Sequence, residues 1–226
     1  MAAIEPTRTD VASSGKTKKY SSSLRLWHWA TVIVISGSLI TVLINSTITD
    51  NRPTASLIKD ELQKAGANVT ADQAHSAAHA LSDSVWDIHV YFGYALAALL
   101  LFRLILEFFQ LADQKLIRKI KVAYAQFSDT KARREEARHE LVVKTIYALF
   151  YILLIIMVLT GLFLAFEDAL AAYKSIRHSV KQVHGFCMYL VLAFIIVHLA
   201  GVFLAERKKE SSGIVSDMIN GGDNQK

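Results

Sequence analysis

The chain has 226 residues, 53% of them hydrophobic, with 10 Gly, 2 Pro, a single Cys and a formal net charge of +5; its mean hydropathy is +0.31. This composition excludes a collagen, a disordered chain and a disulfide scaffold, and the lone Cys187 excludes a thiolate metal cluster or a paired-cysteine attachment site. An ordinary soluble enzyme is excluded by arrangement, because the apolar residues gather into four blocks, about 24–48, 85–110, 143–166 and 182–205, with nearly all charges between them.

Each block approaches or exceeds the ~20 residues that an α-helix needs to cross about 30 Å of hydrocarbon. The sequence therefore predicts an all-α, polytopic membrane protein: a single domain over 1–226, built as a bundle of four transmembrane helices. Residues 1–25 are polar and basic (Lys16, Lys18, Lys19, Arg25) and lead into the first block without a small-residue cleavage site, so the first helix is read as retained. In the 49–84 loop, Arg52-Pro53-Thr54 opens an amphipathic stretch (Leu57, Ile58, Leu62) that Gly66 closes. Thr70-Ala71-Asp72-Gln73 matches a capping box for a second short helix toward Ser84, and the second membrane helix is expected from about Val85. The loop 111–142 contains Lys131-Ala132-Arg133-Arg134-Glu135-Glu136-Ala137-Arg138, mixed charges at helical spacing that extend the membrane helices into water. The third block is uniformly apolar. The fourth stops at Glu206-Arg207-Lys208-Lys209, before a tail over 206–226.

Lys and Arg are unevenly placed: five in 1–25, nine in 111–144 and four in 206–226, against three each in 46–85 and 166–181. The 18-to-6 asymmetry puts both termini and the 111–142 loop in the cytoplasm, with 49–84 and 166–181 outside. Membrane lipid head groups suffice as partners for these cations, and no nucleic acid is expected.

Ionisable groups inside a bilayer are costly and usually functional. Four of the eight histidines fall in the apolar blocks: His28, His89, His184 and His198. With this topology His28 lies near the cytoplasmic end of its helix, while His89 and His184 lie near the outer ends of theirs. His198, 14 residues beyond His184, stands about 21 Å deeper and within about 40° of the same direction. Depth thus pairs His28 with His198 and His89 with His184. Two imidazoles from different helices at one depth suit the axial positions of a b-type haem, and Gly93 and Gly185 leave space for a macrocycle. Zinc cannot gather all four, being bound by ligands only a few ångströms apart.

Other residues carry weaker signals. Arg103 lies 14 residues after His89 at the depth of His28 and His198; it either meets a haem carboxylate or snorkels to head groups beside Glu107. Arg25, three residues before His28, is open in the same way. His75 and His79 stand at zinc-compatible spacing but lack an H-E-x-x-H pattern, and read as a solvated helix face. His139 and His178 read as interfacial, Trp27, Trp29 and Trp86 as an aromatic belt, and Met188 as pocket packing.

The run Leu24-Arg25-Leu26-Trp27-His28-Trp29 resembles the R-x-x-H-W opening of prokaryotic di-haem cytochromes b, the superfamily of bacterial cytochrome b561 and the cytochrome b subunits of nickel–iron hydrogenases. His184-Gly185 with His198 is similar to that family's fourth helix, and Gly213-Ile214-Val215-Ser216-Asp217-Met218-Ile219-Asn220-Gly221 to the segment after it. The resemblance spans all four membrane helices and the tail. It implies two bis-histidine b haems held by the first, second and fourth helices, a place in the bacterial cytoplasmic membrane, and exchange with the quinone pool. It further implies a redox partner protein, such as a hydrogenase or other dehydrogenase subunit.

The expected function is therefore electron transfer between quinone and a redox partner, with His28 and His198 on the inner iron, His89 and His184 on the outer, and Arg103 and Arg25 as candidate cofactor contacts. The alternative is a haem-free transporter or a metal or proton permease lined by these histidines; the absence of Pro from all four blocks counts against its broken helices.

Overall fold

The computed structural model describes residues 21–49, 51–109, 134–207 and 213–221, and among them no strand occurs. Helix α1 spans Ser22–Thr47, α2 Asn51–Lys64, α3 Ala71–Phe109, α4 Arg134–Ala165, α5 Arg177–Glu206 and α6 Ile214–Asn220; a 3-10 turn, Ala171–Ile176, joins α4 to α5. Helices α1, α3, α4 and α5 are long and apolar enough to cross a membrane. Large apolar side chains such as Ile33 and Ile196 point outward, 67% and 68% exposed, which lipid accommodates and water does not. The chain is an all-α, multi-pass membrane protein.

The structure differs from the sequence reading at helix boundaries. The short helix expected from Thr70 and the membrane helix expected from Val85 are one rod of 39 residues. Ser82-Asp83-Ser84 breaks the apolar pattern but no hydrogen bond, since Ser84 Oγ bonds back to the Ala80 carbonyl at 2.8 Å. The rod has no Pro and only Gly93 to weaken it. Helix α4 starts at Arg134, inside the charged run read as a solvated extension, and α5 starts at Arg177 rather than 182. The expectations for 1–20 and 110–133 lie outside the described residues.

The chain divides into two compact units, Trp27–Leu199 and the two ends, up to Leu26 and from Ala200. In the larger unit α2 and α3 form a hairpin. Gly66, at φ 85, closes α2 in the left-handed conformation that glycine adopts without strain. The capping box forms as expected, Gln73 N donating to Thr70 Oγ1 at 3.2 Å and Thr70 N to Gln73 Oε1 at 3.0 Å. Small residues, Ala55 against Ala74 and Ala78, let the two helices close. Asn45 ties the end of α1 to α3: its Nδ2 donates to the Ser82 carbonyl at 3.4 Å and its Oδ1 accepts from Ser82 Oγ at 3.2 Å.

Deeper in this unit the core takes one residue from each long helix, Ile35, Leu100, Leu154 and Val191. A Cβ on Gly37 would run into the Phe92 ring, so any side chain there would have to push that ring out of the contact of α1 with α3, an approach that small residues permit at membrane helix interfaces.

In the smaller unit Glu206 accepts from the backbone N–H groups of Gly213 and Ile214 at 2.9 and 3.1 Å. At the other end of α6, Arg25 Nη1 donates to the Ile219 carbonyl at 2.7 Å. Each end of this short helix is thus tied by a side chain from a neighbouring helix.

Candidate functional site

All four intramembrane histidines lie in the larger unit, in two pairs. The rings of His28 (α1) and His198 (α5) have centroids 6.4 Å apart with planes at 57°. Those of His89 (α3) and His184 (α5) are also 6.4 Å apart, with planes at 82°. Helix α5 contributes to both because 14 residues return nearly the same direction while advancing about 21 Å.

At the second pair, hydroxyls decide which ring nitrogens are free. Thr41 Oγ1 donates to the Ser38 carbonyl at 2.6 Å and lies 2.9 Å from His89 Nδ1. With its only proton spent, it accepts one from Nδ1. Thr160 repeats this arrangement: Oγ1 donates to the Ile156 carbonyl at 2.7 Å and lies 2.8 Å from His184 Nδ1. Each imidazole is thereby held as the Nδ1–H tautomer, leaving the Nε2 lone pair for a ligand bond.

Both rings open onto a cavity of about 540 Å³, within the range of cofactor sites. A Cβ on Gly93 or Gly185, both in its lining, would meet nothing within 4 Å. Gly161 is there for a different reason: a Cβ would stand 3.2 Å from His184 Cε1. Met188 lines the same cavity, and so do Arg177 and Lys181. Thr41, Thr160, Gly161, Arg177 and Lys181 were not picked out by sequence reasoning. The threonines could have been flagged as polar groups within apolar blocks, which bond to a neighbour inside a membrane.

At the first pair, His198 stacks on Phe194 at 5.7 Å and 7°, and Phe194 stacks on Phe150 at 3.9 Å. His28 Nδ1 is buried without a hydrogen-bond partner, a cost unless the completed site relieves it. Arg103 is only 8% exposed. Its Nε donates to the Tyr151 hydroxyl at 3.0 Å, and its Cζ lies 5.9 Å from the Trp27 ring and 5.6 Å from the Tyr151 ring.

Trp27, expected in an interfacial belt, is 7% exposed instead: it stacks on Tyr151 and donates Nε1–H to the Leu99 carbonyl at 2.8 Å. Trp29 and Trp86 are exposed. Arg25 lies in the smaller unit, with its guanidinium on Ile219 and Ser22. His75 and His79 are exposed on α3, His178 meets Gln182, and the side chains of His139 and Glu107 lie outside the described residues.

The donor set fits a b haem. Two imidazoles on opposite sides of one iron, with metal–nitrogen bonds of about 2 Å, place their centroids about 6 Å apart, and both pairs have that separation. Among the described residues no third His, Cys, Asp or Glu joins either pair, as suits an iron whose remaining positions a macrocycle fills.

No curated protein and no solved structure matches the chain. The family model described as prokaryotic cytochrome b561 matches residues 19–221, a span that takes in every described residue. With its four apolar helices and the imidazoles between them, the chain belongs to the prokaryotic cytochrome b561 family, membrane-embedded b-type cytochromes that transfer electrons.

Proposed function

We propose that the chain holds two b haems, one between His28 and His198 and one between His89 and His184, and passes electrons between the quinone pool and a redox partner protein. The observation that carries this reading is the shared 6.4 Å centroid separation of the two pairs. Each haem, held by an imidazole from each of two helices, would supply a one-electron carrier suited to outer-sphere transfer rather than oxygen chemistry. The protein fixes the ligand tautomers through Thr41 and Thr160 and keeps water from the space between the pairs with Ile35, Leu100, Leu154 and Val191. Arg103 is the cation we assign to the carboxylates of the His28/His198 haem; Arg25, engaged with α6, we assign to the C-terminal segment instead.

The chain would lie in the bacterial cytoplasmic membrane; the 18-to-6 distribution of Lys and Arg supports cytoplasmic termini, and on that topology the His28/His198 pair is the inner one and the His89/His184 pair the outer. A hydrogenase or other dehydrogenase subunit suits the partner role.

Haem stoichiometry and redox titration of the purified chain test the reading. Two spectral components are expected, with His28→Leu and His198→Leu removing one and His89→Leu and His184→Leu the other. A colourless preparation from haem-replete cells, or His28→Leu and His198→Leu removing different components, would overturn it.

A further inference from the structure

We propose that Arg177 and Lys181 form a cationic rim that receives the carboxylates of the haem between His89 and His184 and so fixes its orientation; the inference rests on the reading of that pair as a haem site. The cavity is lined mostly by apolar side chains, with two cations and no carboxylate among its lining residues. Its complement is a flat apolar molecule with anionic groups on one edge, which describes a haem and its two propionates.

The cations lie at one end. On α5, Lys181 follows Arg177 by four residues, His184 and Gly185 follow Lys181 by three and four, and Met188 follows those two by four and three, so one stripe of the helix faces the cavity. Lys181 is about 5 Å and Arg177 about 10 Å of helix rise from His184, both toward the α4–α5 connection. Leu164 and Ala165, at the end of α4, line the cavity too. Away from this end the lining includes Ile35, Leu154 and Val191, residues of the apolar core. A carboxylate pointed that way would be stranded in a low-dielectric interior. Pointed toward the α4–α5 connection it meets both cations.

The two cations are held differently. Arg177 Nη2 donates to the Leu164 carbonyl at 3.0 Å and lies 2.7 Å from Glu167 Oε2. One end of the guanidinium is thereby anchored, while its remaining N–H groups are left for the cavity. Lys181 has no ion pair among the described residues. Glu167 is 60% exposed and is not among the lining residues; paired with Arg177, it subtracts from the positive field at the rim. Cation and anion therefore act on the iron with opposite signs: a positive charge favours the reduced state and a negative one the oxidised state.

The test is redox titration and haem stoichiometry of the full-length chain in detergent, with the wild type, Lys181→Gln, Lys181→Arg, Arg177→Gln and Glu167→Gln compared. The component to watch is the one that His184→Leu removes. Lys181→Gln is expected to lower its midpoint potential and its haem retention, Lys181→Arg to restore both, and Glu167→Gln to raise the potential, with the other component unmoved. A generally loosened protein would not shift the potential in opposite directions for Lys181→Gln and Glu167→Gln. Shifts of the same sign in those two variants, no shift in either, or a shift in the component that His28→Leu removes would overturn the rim while leaving two haems in place. A haem-free wild type, or a His184→Leu variant that keeps both components, would remove the haem reading and the rim together.

Discussion

Thr160 decides the chemistry of His184 from a neighbouring helix. Its Oγ1 lies 2.8 Å from Nδ1 of that imidazole while its own proton is committed to the Ile156 carbonyl, so the ring must donate there and keep Nε2 free. The bond also makes the ring a stronger donor to a metal, which favours the oxidised iron. Thr160→Val should therefore raise the midpoint potential of the His89/His184 component and weaken retention of its haem, by about 10- to 100-fold in affinity. Thr160→Ser should behave as the wild type. Thr41→Val should shift the same component in the same direction; a response confined to the other component would contradict the assignment.

Three glycines make a graded steric test. Gly93→Ala and Gly185→Ala add a methyl that meets nothing in the protein within 4 Å, so the helices should assemble normally while the added carbon competes with a macrocycle for the cavity. Haem content should fall at unchanged thermal stability of the haem-free chain. Gly161→Ala differs because its Cβ stands 3.2 Å from His184 Cε1: the imidazole must give by a few tenths of an ångström, and the spectrum of its component should change even where haem is retained. Full haem content in both Gly93→Ala and Gly185→Ala would argue that the cavity is not the cofactor site.

Arg103 is enclosed by Trp27 and Tyr151, and we assign it to the His28/His198 haem. Arg103→Leu should lower the potential or the occupancy of that pair's component, since a nearby positive charge stabilises the reduced iron. The other component should barely respond. Tyr151→Phe removes the hydroxyl that accepts from Arg103 Nε but keeps the ring, and should produce a smaller shift of the same component. An unchanged potential in Arg103→Leu would leave the residue a packing role.

The C-terminal helix α6 is too short to persist by itself in water, and it is held at both ends, by Glu206 and by Arg25. Glu206→Ala should cost about 1 kcal/mol of local stability, as the loss of a helix cap does. Limited proteolysis should then cut near 213–221 sooner, and Arg25→Ala should do the same. Gly221 has φ 82 and lies against the Arg25 guanidinium, so Gly221→Val should mimic both. Unaltered cleavage in all three would show that α6 is held by something else.

What was legible in the sequence follows from what one helix alone determines. Depth along a helix comes from residue number, and azimuth from the 100° step; those two quantities pair His28 with His198 and His89 with His184 as neighbours, and the structure has them as neighbours. Contacts that depend on how helices are rotated against each other were not legible. Thr160 and Gly161 belong to the block without an intramembrane histidine, and nothing within that block says which side faces His184. Trp27 was misplaced for the same reason: an indole at a helix end belongs equally to an interfacial belt or to a buried packing site until its neighbours are known. The unbroken α3 was missed because Ser82-Asp83-Ser84 interrupts hydropathy, which sets where lipid ends, and not backbone conformation.

The apolar core between the pairs has an electrical consequence. Ile35, Leu100, Leu154 and Val191 meet midway along the bundle, and α5 places His184 and His198 about 21 Å apart on either side of that layer. An electron tunnels through hydrocarbon, whereas a proton needs a chain of donors and acceptors, which these four side chains do not supply. Electron transfer between the proposed haems would therefore move negative charge across an apolar, low-dielectric layer in which these side chains pass no compensating proton. Each turnover would do work with or against the membrane potential, about 2.3 kcal/mol per charge per 100 mV for a full crossing. The reaction rate should then depend on voltage as well as on concentrations, as current through a leaky capacitor does.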